Sequence, residues 1–256
     1  MKQPEITQVL LMAHGWGYNH RFFNALLNTL PANTRETTLF VCLEAGYFPE
    51  QARQGLMIHT PGISTQDQWV HYTAEVLHSL VLAYAEVPWL GLGHSLGFSK
   101  LLDFSVRWHS LLSIHGFTHF VKGDSNTQGT PPRFLSRMIQ KAEQNMPEVL
   151  RDFHNRCGHH AQWATLDEQT LLTDLRSMQE LNAAQALQQA LSHGAELHAW
   201  ASNTDEIVPL ALALQCFEHT LKQQNRELHT LASEHAGIAT APARYTDTLL
   251  SLLSQH

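Results

Sequence analysis

The chain has 256 residues, 43% of them hydrophobic and only 15% charged, with a formal net charge of −7. That length and apolar content suit one folded domain carrying a small insertion. The mildly acidic balance excludes a general nucleic-acid binder, which needs a basic face to neutralise phosphates. Three cysteines, Cys42, Cys157 and Cys216, with no close pair, argue against a disulfide framework and suit a reducing cytoplasm. No segment approaches the ~20 apolar residues of a membrane span, and the N-terminal apolar run is too short for a signal-peptide core.

In chain order, residues 9–13 (VLLMA) form a continuous apolar run ending at a glycine turn, the pattern of a strand buried on both faces. Residues 22–30 carry apolar side chains at helical spacing, and residues 38–43 (TLFVCL) are a second strand-like run. The stretch 47–64, punctuated by Pro49, Gly55, Pro61 and Gly62, reads as irregular. Residues 69–84 are expected to be helical, with apolar positions at 69, 70, 76, 77, 80, 81 and 84. A third strand is expected at 87–91, then a glycine-rich turn and a helix over 96–108. Further strands are expected at 111–115, 197–201 and 228–232, and a last helix at 242–253. Short strands alternating with helices imply a parallel sheet with helices on both faces.

One spacing is anomalous. About 80 residues separate the strands near Ile114 and His198, far beyond the ~10–12 that a crossover needs. Residues 131–189 are polar and helix-rich, so they read as a helical cap inserted over the carboxyl edge of the sheet, entered through a linker at 118–132. The expected division is a core of 1–117 and 195–256 with a cap of 118–194.

The strongest chemical signal is Gly93-His94-Ser95-Leu96-Gly97, a G-x-S-x-G nucleophile elbow between a strand and a helix. His14-Gly15-Trp16-Gly17 follows the first strand. The backbone N–H groups of Trp16 and Leu96 are the candidate pair for holding an oxyanion; a plain glycine turn is the alternative. Asp205 lies just past a strand end, where a carboxylate can orient an imidazole. Glu206 is its rival, and Asp167 and Asp174 lie in the cap. His235 follows the last strand, whereas His219 falls in a helix and His229 in a strand. The order Ser95, Asp205, His235, each at a strand end, points to nucleophile, orienting acid and base.

Over nearly its whole length the sequence resembles the α/β-hydrolase superfamily. More narrowly it is similar to the pimeloyl-[acyl-carrier protein] methyl ester esterases of biotin synthesis. The likeness rests on Leu11-Met-Ala-His-Gly-Trp-Gly17, Trp89-Leu-Gly-Leu-Gly-His-Ser-Leu-Gly97 and Val149-Leu-Arg-Asp-Phe-His-Asn-Arg-Cys-Gly158. The resemblance implies an α/β-hydrolase fold, meaning a mostly parallel central sheet, helices on both faces and an inserted helical cap. It implies cytoplasmic ester hydrolysis without a cofactor. The substrate would be an acyl ester carried on acyl carrier protein, which arginines on the cap would meet. Where many relatives have an Asp-x-x-Gly turn, this chain has Glu-Ala-Gly-Tyr-Phe after Leu43.

Residues 131–160 hold five basic and three acidic residues. Arg133, Arg137 and Lys141 recur every four residues, and Arg151 and Arg156 follow on a next helix, so these five are the candidate carrier contacts. A solvated helix face is the alternative. Trp16, Phe117, Phe153 and Trp163 are candidate acyl-chain contacts, or equally simple core residues. His154, Cys157, His159 and His160 cluster loosely, but a helix turning at Gly158 explains them without a metal, and none is expected. A thioesterase, an esterase for free acyl substrates, a carbon–carbon bond hydrolase, or a catalytically silent binding protein on the same fold remain alternatives.

Overall fold

The computed structural model describes residues 5–59, 69–124 and 126–254. Eight strands form one sheet among these residues: β1 (Gln8–Ala13), β2 (Thr38–Glu44), β3 (Gly55–His59), β4 (Trp69–Tyr72), β5 (Trp89–His94), β6 (Trp108–Ile114), β7 (Glu196–Ser202) and β8 (His229–Leu231). Their order across the sheet is β4-β3-β2-β1-β5-β6-β7-β8. β3 runs antiparallel to both β2 and β4, and every other pairing is parallel.

The central strands are apolar on both sides because both faces are covered. In β1, Leu10 and Met12 face one cluster while Val9, Leu11 and Ala13 face the other, as the two-residue period of a strand requires. The first cluster takes in α1 (Asn24–Leu27) and, at the chain's end, α10 (Ala243–Leu253). The second takes in α3 (Val76–Ala83), α4 (Leu96–Leu101) and α8 (Leu210–Gln223). Two short helices, α2 (Ala32–Thr37) and α9 (Gly237–Thr240), sit in connections.

Between β6 and β7 lie α5 (Pro132–Cys157), α6 (Glu168–Ser177) and α7 (Ala184–Ser192). α5 breaks at Asn145 (φ −156°, ψ 77°), two residues before Pro147. There Asn145 Oδ1 accepts the Glu148 N–H at 3.2 Å while its Nδ2 donates to Glu148 Oε2 at 2.9 Å, so the second half of α5 starts with its own cap. Pro147 falls in that first turn, where its missing N–H costs nothing. α5 and α6 pack into the first cluster, whereas α7 buries Leu187 in the second, beside Leu197 and Phe217.

Several expected elements differ. The helix expected over 69–84 is an edge strand, β4, followed by α3. Only from residue 76 onward does the apolar spacing hold at every turn, and the aromatic and β-branched Trp69, Val70 and Tyr72 pair with β3 instead. The irregular stretch at 47–64 contains β3, and its Pro61, Gly62 and Ser64 lie outside the described residues. The helix expected at 22–30 is a 3-10 turn, His20–Phe23, followed by the single turn α1. α4 stops at Leu101 instead of reaching 108, and β6 begins at Trp108. β5 starts at Trp89, after Pro88, whose carbonyl accepts from Val9 N–H at 3.0 Å. No helix of the described residues is long and apolar enough to cross a membrane.

Candidate active site

β1 pairs with β2 on one side and β5 on the other, so the sheet's winding reverses between β1 and β5. Loops leaving the carboxyl ends of two such strands diverge and leave a crevice. Ser95 leaves β5 there, and His14-Gly15-Trp16-Gly17 leaves β1.

Ser95 has φ 55° and ψ −128°, a strained conformation for a residue with a side chain, held by its N–H on the Ile114 carbonyl at 3.0 Å. The neighbouring glycines make the turn possible. A Cβ on Gly93 would lie 2.2 Å from Phe98 Cα, and one on Gly97 would lie 2.1 Å from the Ala13 carbonyl oxygen. Leu96 opens α4 immediately after the serine. No acceptor among the described residues takes the backbone N–H of Leu96 or of Trp16.

Asp205 sits in the turn after β7. Its Oδ1 accepts the N–H groups of Ile207 (2.7 Å) and Val208 (2.9 Å). Its Oδ2 accepts Nδ1–H of His235 at 2.7 Å and Nδ1–H of His115 at 2.9 Å. Burial alone would raise this carboxyl. The charge interaction with His235 and the hydrogen bonds from His115 and His235 outweigh burial and hold it well below the usual carboxylate range. His235 is fully buried, and its Nε2 has no hydrogen-bond partner, so it is not bonded to Ser95. The His235 carbonyl accepts from Nε2 of His94, the residue preceding Ser95, at 3.0 Å.

The other acids stand elsewhere. Glu206 is exposed beside Arg156, with Nε–Oε2 at 3.5 Å. Asp174 accepts from the Tyr47 hydroxyl and pairs with Lys100 Nζ at 2.5 Å. Asp167 caps α6 through the Thr170 N–H at 2.9 Å. His219 lies in α8 and contacts Gln223, while His229 stacks on Trp200 with ring centroids 4.9 Å apart.

A cavity of about 660 Å³ opens over Ser95. Trp16, Phe117, Phe153, Leu175 and Met178 form apolar walls. Trp163, expected among them, is not in the lining; it is half-buried and packs on the core from outside. Arg137, Lys141 and Arg156 stand on the rim beside Asp152 and Glu206. Arg133 and Arg151 are exposed but away from the cavity, and the Arg133 guanidinium lies over the Phe134 ring at 5.2 Å.

No protein-family model and no curated protein sequence matches the chain. Solved structures do match. A bromoperoxidase from Bacillus anthracis aligns over 99% of this chain and 94% of its own, at 12% identity and a TM-score of 0.71. An esterase from Exiguobacterium antarcticum aligns over 97% and 92%, at 16% identity and 0.60. BioG from Haemophilus influenzae aligns over 94% and 92%, at 13% identity and 0.51. The chain has the α/β-hydrolase fold.

Within this α/β-hydrolase fold, three residues at the site escaped the sequence reading. His115 and Tyr245 stand behind Asp205. Glu44, at the end of β2, is buried under the loop after β1. It accepts from His20 N–H (3.0 Å), His20 Nδ1–H (2.8 Å) and Gly46 N–H (3.1 Å), and lies 3.4 Å from His14 Nε2. Both Glu44 and His115 end central strands, which is the signal that could have found them.

Among the described residues, the histidines considered for a metal do not form a ligand group, although the buried Nδ1 of His159 has no hydrogen-bond partner. His154 Nε2 donates to the Gly17 carbonyl at 2.8 Å, the His159 carbonyl accepts from Tyr18, and Cys157 is buried. Among the described residues, the ligating atoms that do converge belong to His115, Asp205 and His235, where both imidazoles already bond one carboxylate oxygen.

Proposed function

We propose that the protein is a serine carboxylic-ester hydrolase. The observation that carries this reading is the 2.7 Å bond between His235 and Asp205, buried beside a cavity whose wall includes the strained Ser95. Asp205 keeps the His235 proton on Nδ1, which leaves Nε2 as a base. His235 takes the Ser95 proton as Oγ attacks the ester carbonyl. The negative oxygen forms where the free N–H groups of Trp16 and Leu96 can donate to it. The imidazolium then protonates the departing alcohol. Water, deprotonated by His235, releases the acid and restores Ser95.

The narrower reading is a methyl ester at the end of a pimeloyl chain carried on acyl carrier protein, with methanol leaving. It rests on the sequence resemblance, and two features support it. The walls suit an acyl chain, and the basic residues Arg137, Lys141 and Arg156 on the rim suit an acidic carrier. Three unpaired cysteines fit a cytoplasmic setting.

The test is hydrolysis of the carrier-linked pimeloyl methyl ester beside a short p-nitrophenyl ester, by wild type and Ser95→Ala. Ser95-dependent turnover of both supports the full reading. Turnover of the free ester alone sinks the carrier-linked substrate. Turnover of neither, with no labelling of Ser95 by a fluorophosphonate, sinks the hydrolase.

A further inference from the structure

The mechanism above uses one imidazole on Asp205, yet the carboxylate holds two. We infer that His115 and Tyr245 form a second arm on Asp205, a positioning relay that fixes the carboxylate and tunes the proton affinity of His235. For its kinetic consequence this rests on the hydrolase reading; for its structural consequence it does not.

The chemistry of the partners assigns the protons. His115 Nδ1 is 2.9 Å from an ionised carboxylate oxygen, so that nitrogen carries the hydrogen. Its Nε2 is then an acceptor, and the partner 3.0 Å away is the Tyr245 hydroxyl, which donates. The Tyr245 oxygen in turn lies 3.3 Å from Ser233 Oγ. The chain Ser233, Tyr245, His115, Asp205 therefore runs donor to acceptor in one direction, and each bond polarises the next.

His115 is also costly to hold there. It is fully buried and has φ 50°, a left-handed conformation uncommon outside glycine, although asparagine, aspartate and histidine adopt it more often than other residues. Its N–H on the Trp200 carbonyl at 2.9 Å fixes that turn at the end of β6. Asp205 now accepts four hydrogen bonds, about the full capacity of a carboxylate. Each added donor draws charge from Oδ2 and so lowers its pull on a proton at His235.

The groups facing this pair are few. His94 approaches from the end of β5, its ring 4.7 Å from His235 and 6.4 Å from His115. Tyr245 approaches from α10. Cys157, at the end of α5, accepts the Ala236 N–H on its carbonyl at 3.0 Å, and Glu234 precedes His235 in its own loop. Burial lowers the proton affinity of His94 and His115 alike.

The experiment follows His235 by NMR titration in the full-length protein, for wild type, His115→Ala, His115→Asn and Tyr245→Phe, with the pH profile of kcat/KM beside it. Asparagine keeps an N–H at the position of His Nδ1 and accepts a positive φ. His115→Ala should raise the His235 midpoint by roughly half to one pH unit, with the acid limb of kcat/KM moving equally. His115→Asn should restore most of it. Tyr245→Phe, which removes one hydroxyl and tests the relay if the alanine variant does not fold, should give a smaller shift of the same sign. An unchanged His235 midpoint in His115→Ala or in Tyr245→Phe overturns the inference. Absence of ester turnover in wild type would sink the hydrolase reading alone and leave the titration to decide the relay.

Discussion

The indole Nε1–H of Trp16 donates to the Leu171 carbonyl at 2.8 Å, tying the loop after β1 to α6. Two further bonds join the same loop to the segment between β6 and β7: His154 to the Gly17 carbonyl (2.8 Å) and Tyr18 to the His159 carbonyl (3.0 Å). The backbone N–H proposed to hold the oxyanion is thus positioned by the helices that wall the cavity. Trp16→Phe keeps an aromatic ring against Phe153 but removes the donor. It should cost about 1–2 kcal/mol of stability. It should lower kcat several-fold while KM changes less, because the loss falls on a donor used in the transition state. Steady-state kinetics with a chromogenic ester and a urea unfolding curve check both; a change confined to KM would contradict the coupling.

Ser95 stores strain that any side chain at that position must bear. Alanine keeps the strain and glycine releases it, so the two substitutions separate backbone from chemistry. Both Ser95→Ala and Ser95→Gly should abolish ester turnover. Ser95→Gly should nonetheless be more stable than Ser95→Ala by about 1 kcal/mol, since the relief of φ 55° outweighs the added freedom of the unfolded chain. Denaturant midpoints measured side by side decide it, and a less stable glycine variant would contradict the strain.

The elements legible in the sequence were those whose environment leaves a local mark. Buried parallel strands such as β1 and β2 carry unbroken apolar runs, at 9–13 and 39–43, and the turns that leave them need glycine, so residues 9–13 and the 93–97 motif announced themselves. Ser95, Asp205 and His235 stood out in the sequence as residues at strand ends, and the structure brings Asp205 and His235 into one hydrogen bond. β4 was missed because an edge strand paired on one side has no continuous apolar run, and Trp69 and Val70 happened to fit a helical period with residues 76–84. The His115 bond to Asp205 spans 90 positions and leaves no periodic trace. Which basic residues reach the rim was not legible in the four-residue spacing: Arg137 and Lys141 line the cavity while Arg133, on the same line, does not, and Arg156 lines it while Arg151 does not.

Acid should destabilise the fold before the carboxylates titrate. Burial pushes the imidazoles of His154 and His198 down to about 4. In the unfolded chain each returns to about 6.5. Between those values the unfolded state binds protons that the folded state refuses, so stability falls as pH drops through the window and is unaffected above it. The loss is at most about 1.4 kcal/mol per pH unit for each histidine. His154→Gln keeps a donor for the Gly17 carbonyl and cannot be protonated. Its unfolding free energy should therefore fall less steeply from pH 7 to 5 than that of wild type. Equal slopes would show that His154 is not held neutral.

The basic rim separates the carrier-linked substrate from a free one. Arg137 and Lys141 line the cavity mouth from exposed positions and make no ion pair among the described residues, whereas Arg156 is already engaged by Glu206. Reversing the two unengaged charges turns attraction to an acidic carrier into repulsion without touching the apolar walls. Arg137→Glu with Lys141→Glu should raise KM for the carrier-linked ester about tenfold or more and leave hydrolysis of a short free ester unchanged. Added salt should raise the wild-type KM for the carrier-linked ester and leave that of the double variant nearly flat, since exposed charges are screened over about 10 Å at 0.1 M. Equal KM values for wild type and variant at low salt would mean that the carrier, if it is used, docks on another face.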